Sequence, residues 1–177
     1  MNNVKKLTLT AMFMALGLVL PFLTGQIPQI GSMLLPMHIP VFFCALICGW
    51  QWAAPMALVL PVLRSVLFGM PPMYPGALAM AFEFAAYAFV AGFVYACVKK
   101  QNLLTLYISI IAAMICGRVV WGIAQVILLG LDGKPFTLQA FLAGAFTNAI
   151  PGIILQLILI PLVMLALDKT ILAKFKK

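Results

Sequence analysis

Acidic side chains are nearly missing from this sequence: three Asp and Glu stand against 11 Lys and Arg and a single His in 177 residues. Charged residues of both signs amount to 8%, where soluble domains carry about a quarter. There is no Ser-His-Asp set, no HExxH and no acidic pair, so no catalytic constellation stands out and the chain does not read as an enzyme. A Walker motif is also missing, and any ATP that drives the protein's work is hydrolysed by another chain. Cysteine is scarce too. Cys44, Cys48, Cys97 and Cys116 lie in apolar runs with no histidine or carboxylate near them in sequence, which favours small buried side chains over a disulfide, redox chemistry or a metal site. Met33, Met37, Met70 and Met73 read as adaptable apolar lining rather than as Cu(I) ligands. Neither a cofactor nor a metal is expected.

What the chain has in abundance is apolar surface, with 66% hydrophobic residues and a mean hydropathy of +1.18. These values define an integral membrane protein, and residues 1–177 are filled by one helical membrane domain with no room for a soluble one. The net charge of +8 does not indicate nucleic acid, because the lysines flank the apolar runs, where they mark orientation. Two lysines precede the first run, but no small-x-small cleavage pattern with a polar mature chain follows, so this run is expected to stay attached.

Six spans follow from the hydrophobic runs. The first covers about Leu7 to Leu23, and the second Pro36 to Gly49 or Trp50, too short at about 20 Å to cross a 30 Å core by itself. The third runs from about Ala53 to Phe68 with a kink at Pro61, and the turn GMPPMYPG leads into the fourth, Gly76 to Val98. The fifth runs from Leu103 to about Leu129, and the sixth starts near Thr137 or Leu138 and passes Pro151 and Pro161. Trp50 and Trp52 bracket Gln51 as an interfacial anchor. Placing the lysines at the N-terminus, at Lys99-Lys100 and in the C-terminal tail in the cytoplasm needs even numbers of crossings, and the spans supply four and then two. Both termini are then cytoplasmic, and residues 24–36, 69–75 and 130–137 form the outer loops. No internal repeat suggests inverted halves.

Intramembrane polar residues cluster by depth. Arg64 and Glu83 each lie about 8 to 10 Å below the outer end of their helices, and Arg118 and Asn148 also fall in the outer half. His38 opens the second span, and Gln125 stands two turns above Arg118. The inner half is nearly free of polar groups, which excludes a proton relay or a channel and fits a pocket open to the outside. Arg64 and Glu83 read either as an ion pair bracing the third and fourth helices or as part of that site. Arg118 then has no acid left, and one surplus cation favours a small anion or a carboxylate-bearing zwitterion. His38 is either bonded locally or a ligand contact, and Asn148 either bridges helices or reads a ligand. Tyr74, Tyr87 and Trp121 are candidates to stack on a guest, with interface or core packing as the alternative.

The first span, LTLTAMFMALGLVL, carries Ala11 and Ala15 as a flat A-x-x-x-A strip. Together with six short spans, the block LLPMHIPVFFCALICGW and the block PVLRSVLFGMPPMYPGALAMAFE, it resembles the substrate-binding S components of energy-coupling factor (ECF) transporters over essentially the whole chain. The resemblance implies a multi-pass plasma-membrane protein that captures a vitamin at the outer face. It also implies partners, a transmembrane T component and two cytoplasmic ATPases, with Ala11 and Ala15 docking on the T component and the S component toppling to release its cargo. By position, the ligand region of that family includes His38, Arg64, Glu83, Arg118 and Asn148. Tyr74, Tyr87, Trp121 and Gln125 complete the candidate substrate-binding set. In this reading Arg118 holds a carboxylate, Arg64 and Glu83 brace it or read hydroxyls, and Asn148 reads an amide, with pantothenate the favoured guest. The alternatives are an S component for another micronutrient, or a structural subunit of a membrane complex in which the charges only staple helices.

Overall fold

The computed structural model describes residues 2–24, 33–98 and 102–168. Among the described residues there are six helices, and five are long and apolar enough to cross a membrane. Helix α1 (Asn3–Val19) passes into a 3-10 turn at Leu20–Thr24. Pro21 sets this change, because it lacks the N–H that a continuing helix needs. In the cytoplasm-proximal part of α1, as the lysine reading orients it, the Thr8 and Thr10 hydroxyls donate to the Val4 and Lys6 carbonyls at 3.0 and 2.8 Å. A hydroxyl can enter lipid or core when its proton is held in this way.

Helix α2 (His38–Cys48) has 11 residues and rises about 16 Å. It has no need to span lipid. Nearly every side chain on it is buried, and the first, third, fourth and last helices of the chain surround it. A helix that is apolar all round belongs at the centre of a bundle, and this is where the short second run goes.

Gly49, at φ +92°, turns the chain from α2 straight into α3 (Trp50–Phe68). That backbone conformation is open to glycine and strained for other residues. The Gly49 carbonyl accepts from Trp52 and Ala53 N–H at 3.2 and 3.1 Å, so the third helix starts at Trp50 rather than at Ala53. Trp50 makes an edge contact with Phe89, with ring centroids 5.2 Å apart. Pro55 and Pro61 lie within α3, which ends where Gly69 N–H closes on Ser65 O at 2.9 Å.

Helix α4 opens with a π-turn at Met73–Ala77 and continues as α-helix over Leu78–Cys97. Tyr74, held before Pro75, keeps the extended backbone expected of a residue preceding proline. The Met70–Pro71 and Tyr74–Pro75 bonds are cis. Asn102 caps α5 (Leu103–Leu131) by accepting from Thr105 N–H at 3.0 Å. Helix α6 comes in two segments, Leu138–Leu142 and Ile150–Asp168, joined by a π-turn at Ala143–Thr147. The run is therefore not continuous through Pro151. Proline has no N–H to donate and its ring clashes with the carbonyl four residues back, so the chain breaks first and Pro151 enters the first turn of the second segment.

Helix α4 packs most extensively, on α5 and α3. Val41, Phe42, Leu60, Phe84, Ile110 and Ile160 are fully or almost fully enclosed at the centre. Outward faces are apolar as well, with Val66, Phe82, Phe93, Ile115, Ile154 and Leu162 exposed, the pattern of a lipid-facing surface. Helix α1 is the least covered candidate span, 17% buried against 28% to 50% for the others. Ala11 and Ala15 both lie on its exposed side.

Candidate functional site

Glu83 does not pair with Arg64. Its Oε1 lies 2.9 Å from Arg118 Nη1 and 3.7 Å from His38 Nε2, with all three side chains buried. The unpaired-Arg118 expectation is overturned by the same contact: α4 directs Glu83 toward α5 and α2, and the single intramembrane carboxylate goes to the arginine of α5.

Arg64 turns to the other side of α3. Its Nη1 donates to the Leu18 carbonyl. Pro21 lies three residues beyond Leu18 and has no N–H, so it cannot close the 3-10 bond to that oxygen, and the guanidinium supplies the missing donor. Phe22 and Phe68 flank it, with Cζ 5.1 and 5.4 Å from the ring centroids. Arg64 thus fastens the end of α1 to the end of α3.

The carboxylate cluster is held by close packing. His38 opens α2 after a left-handed backbone step at Leu35, φ +50°, and its N–H bonds to Leu35 O at 3.1 Å. Left-handed backbone costs a non-glycine residue about 1 to 2 kcal/mol, so the surrounding contacts hold this turn in place. The imidazole is wedged edge-on against Phe84 and Tyr87, at centroid distances of 4.4 and 5.1 Å. Tyr87 in turn lies over Gly117 of α5, where an added Cβ would meet its ring at 3.1 Å. A side chain at 117 would push the ring, and with it His38.

This cluster is under-satisfied. Among the described residues, the buried side-chain nitrogens and oxygens without a hydrogen-bond partner are His38 Nδ1 and Nε2, Glu83 Oε1, Arg118 Nε and Nη2, and Gln156 Nε2. Glu83 Oε1 is close enough to Arg118 for an ion pair, but the angles fall short of a directed hydrogen bond. Buried groups left in this state cost about 1 to 3 kcal/mol each. By contrast, the buried hydroxyls of Thr10 and Ser109 are bonded to carbonyls on their own helices, and that of Thr105 is bonded to Asn102.

The remaining candidates separate. Gln125 is buried on α5. Tyr74 is exposed, and its hydroxyl donates to Leu128 O, tying the α3–α4 turn to α5. Trp121 is half-buried in an aromatic group with Phe136 and Phe141, at centroid distances of 5.9 and 6.2 Å. Asn148 is exposed at the break in α6, so it is not the buried amide of that helix. Gln156, two turns further on and 1% exposed, takes that place. Sequence reasoning missed it: depth alone favoured the residue nearer the outer end, and the register of α6 shifts at the π-turn. An apolar groove of about 480 Å³ lies on the other face of α5, lined by residues that include Val119, Ile123, Val126, Phe136 and Leu138, and contains none of the cluster.

A helical multi-pass membrane bundle enclosing an unmet polar cluster is the architecture of a membrane transport protein. A family model for the substrate-specific component of ECF transporters matches residues 5–164, and the chain belongs to that family. No curated protein and no solved structure matches it. As an S component it is a non-catalytic transport subunit of a membrane complex, working with T-component and ATPase partners.

Proposed function

We propose that this S component captures a small carboxylated vitamin between α2, α4, α5 and α6, with Arg118, Glu83 and His38 as the reading groups. The observation that carries this is the set of buried, unpartnered atoms on those three side chains. Arg118 Nη1 already forms an ion pair with Glu83, so its charge is offset, while Nε and Nη2 remain as adjacent donors suited to both oxygens of a carboxylate. Glu83 Oε1 and one imidazole nitrogen offer acceptor capacity to a hydroxyl or N–H on the same guest, and the other imidazole nitrogen of a neutral His38 offers a donor. A carboxylate beside a hydroxylated amide chain has this complement, which makes pantothenate the first compound to test. The lysine distribution supports an outer-half position for the cluster and capture from the outer face, with delivery following docking through Ala11 and Ala15 on the exposed side of α1.

The test is mass spectrometry of the small molecule that copurifies with the full chain, followed by calorimetry with pantothenate. Submicromolar binding that disappears in Arg118→Met is expected. Unchanged affinity in that variant removes the carboxylate role, and the absence of any bound vitamin removes the substrate class.

A further inference from the structure

The polar residues of the cluster share a position relative to the apolar core. His38, Glu83 and Arg118 each stand one helical turn from a core residue of their own helix, namely Phe42, Tyr87 and Met114. Gln156 stands in the same relation to Ile160. Four helices therefore each place one polar side chain one turn from the apolar core, and all the unpartnered buried side-chain atoms among the described residues belong to these four.

On α6 the inward side above Gln156 is made of Ala145, Ala149 and Gly152, all buried and all too short to reach across the bundle. Gly152 brings α6 against the backbone entering α2: a Cβ there would lie 2.5 Å from Met33 O. Among the described residues of α6, Gln156 is thus the first fully buried side chain longer than alanine, and it is polar, 1% exposed and without an acceptor for Nε2.

We propose that Gln156 is the fourth reading residue of the site, donating its amide N–H to an acceptor on the vitamin other than the carboxylate held by Arg118. The inference rests on the vitamin-binding reading above. A guest that reaches both residues would then be selected by two acceptors, which excludes carboxylates that lack a second carbonyl or hydroxyl oxygen. The bland possibility is an amide that stabilises α6 within the fold. The two differ in what an apolar isostere does: removing an unmet buried donor leaves the ligand-free protein as stable or more so, whereas removing a bonded one destabilises it.

The experiment uses the full chain in detergent as wild type, Gln156→Met and Gln156→Glu. Each is titrated by calorimetry with pantothenate, biotin, nicotinate, thiamine and riboflavin, and each ligand-free unfolding midpoint is measured. For a probe that wild type binds, both substitutions are expected to weaken binding about 10- to 100-fold, with the midpoint of Gln156→Met unchanged or raised. Affinity within twofold of wild type overturns the proposal. If wild type binds none of the probes, the vitamin reading fails for this panel and the midpoint alone decides: a fall in Gln156→Met shows a bonded structural amide and overturns the inference, and an unchanged or higher midpoint supports it.

Discussion

Two buried arginines on neighbouring sides of α4 have opposite fates. Arg64 is used by the fold: it supplies the donor that Pro21 withholds from Leu18, and Phe22 and Phe68 flank its guanidinium. Arg118 is used in part, pairing its charge with Glu83 through Nη1 and leaving Nε and Nη2 without partners. An intramembrane charge is therefore not a functional signal in itself. The signal is what remains of its hydrogen-bonding capacity after the fold has taken its share.

That contrast can be broken most directly at the ion pair. Arg118→Met alone should abolish binding and destabilise the protein by about 3 to 5 kcal/mol, since Glu83 is left as an uncompensated buried charge. The double variant Arg118→Met with Glu83→Gln should recover most of that stability in a denaturation series without recovering binding. Recovery of both would make the pair a staple. Next in size is Ala11→Trp with Ala15→Trp, which should spare binding in detergent and stop uptake in cells, because the exposed side of α1 takes no part in the polar cluster; normal uptake would remove the docking assignment. Arg64→Ala should lower stability by about 1 to 3 kcal/mol through the stranded Leu18 carbonyl and shift affinity less than twofold, and a tenfold loss of affinity would erase the distinction between the two arginines. The smallest effect is expected at the exposed Lys134–Asp132 contact, 2.5 Å long. Its hydrogen bond and charge raise the Lys134 pKa above the usual lysine value, so any contribution is present at neutral pH and lost only as pH rises through that raised pKa. Asp132→Asn should leave the unfolding midpoint unchanged between pH 6 and 9, as exposed pairs are screened by solvent.

Much of the fold was legible because its causes are local. Hydrophobic runs, lysine flanks and proline turns mark helices within a few residues, and the 13-residue estimate for the second span already pointed to a helix that leans on its neighbours. The third helix starts earlier, at Trp50, because Gly49 allows a corner without a loop, and the sixth starts at Leu138 as expected but breaks before Ile150 because Pro151 rejects a continuous helix. The candidate site was legible as a depth and only in part as a set of partners. His38, Glu83, Arg118 and Tyr87 come together, while Arg64, Tyr74 and Asn148 lie elsewhere.

Depth along a helix follows from a fixed rise per residue, so the sequence by itself gives an expected depth for Arg64, Glu83 and Arg118. Which of two arginines meets the single carboxylate depends on how three helices are rotated about their axes, and that rotation is decided by contacts distant in sequence, such as Tyr87 on Gly117. The same holds for α6, where a π-turn changes the facing of everything after it and exchanges Asn148 for Gln156 as the buried amide. Class, span number and the scarcity of acids were written in the composition. The pairing of charges and the identity of the unmet groups were decided by tertiary packing, because a hydrogen bond is set by ångströms and angles that no one-dimensional pattern contains.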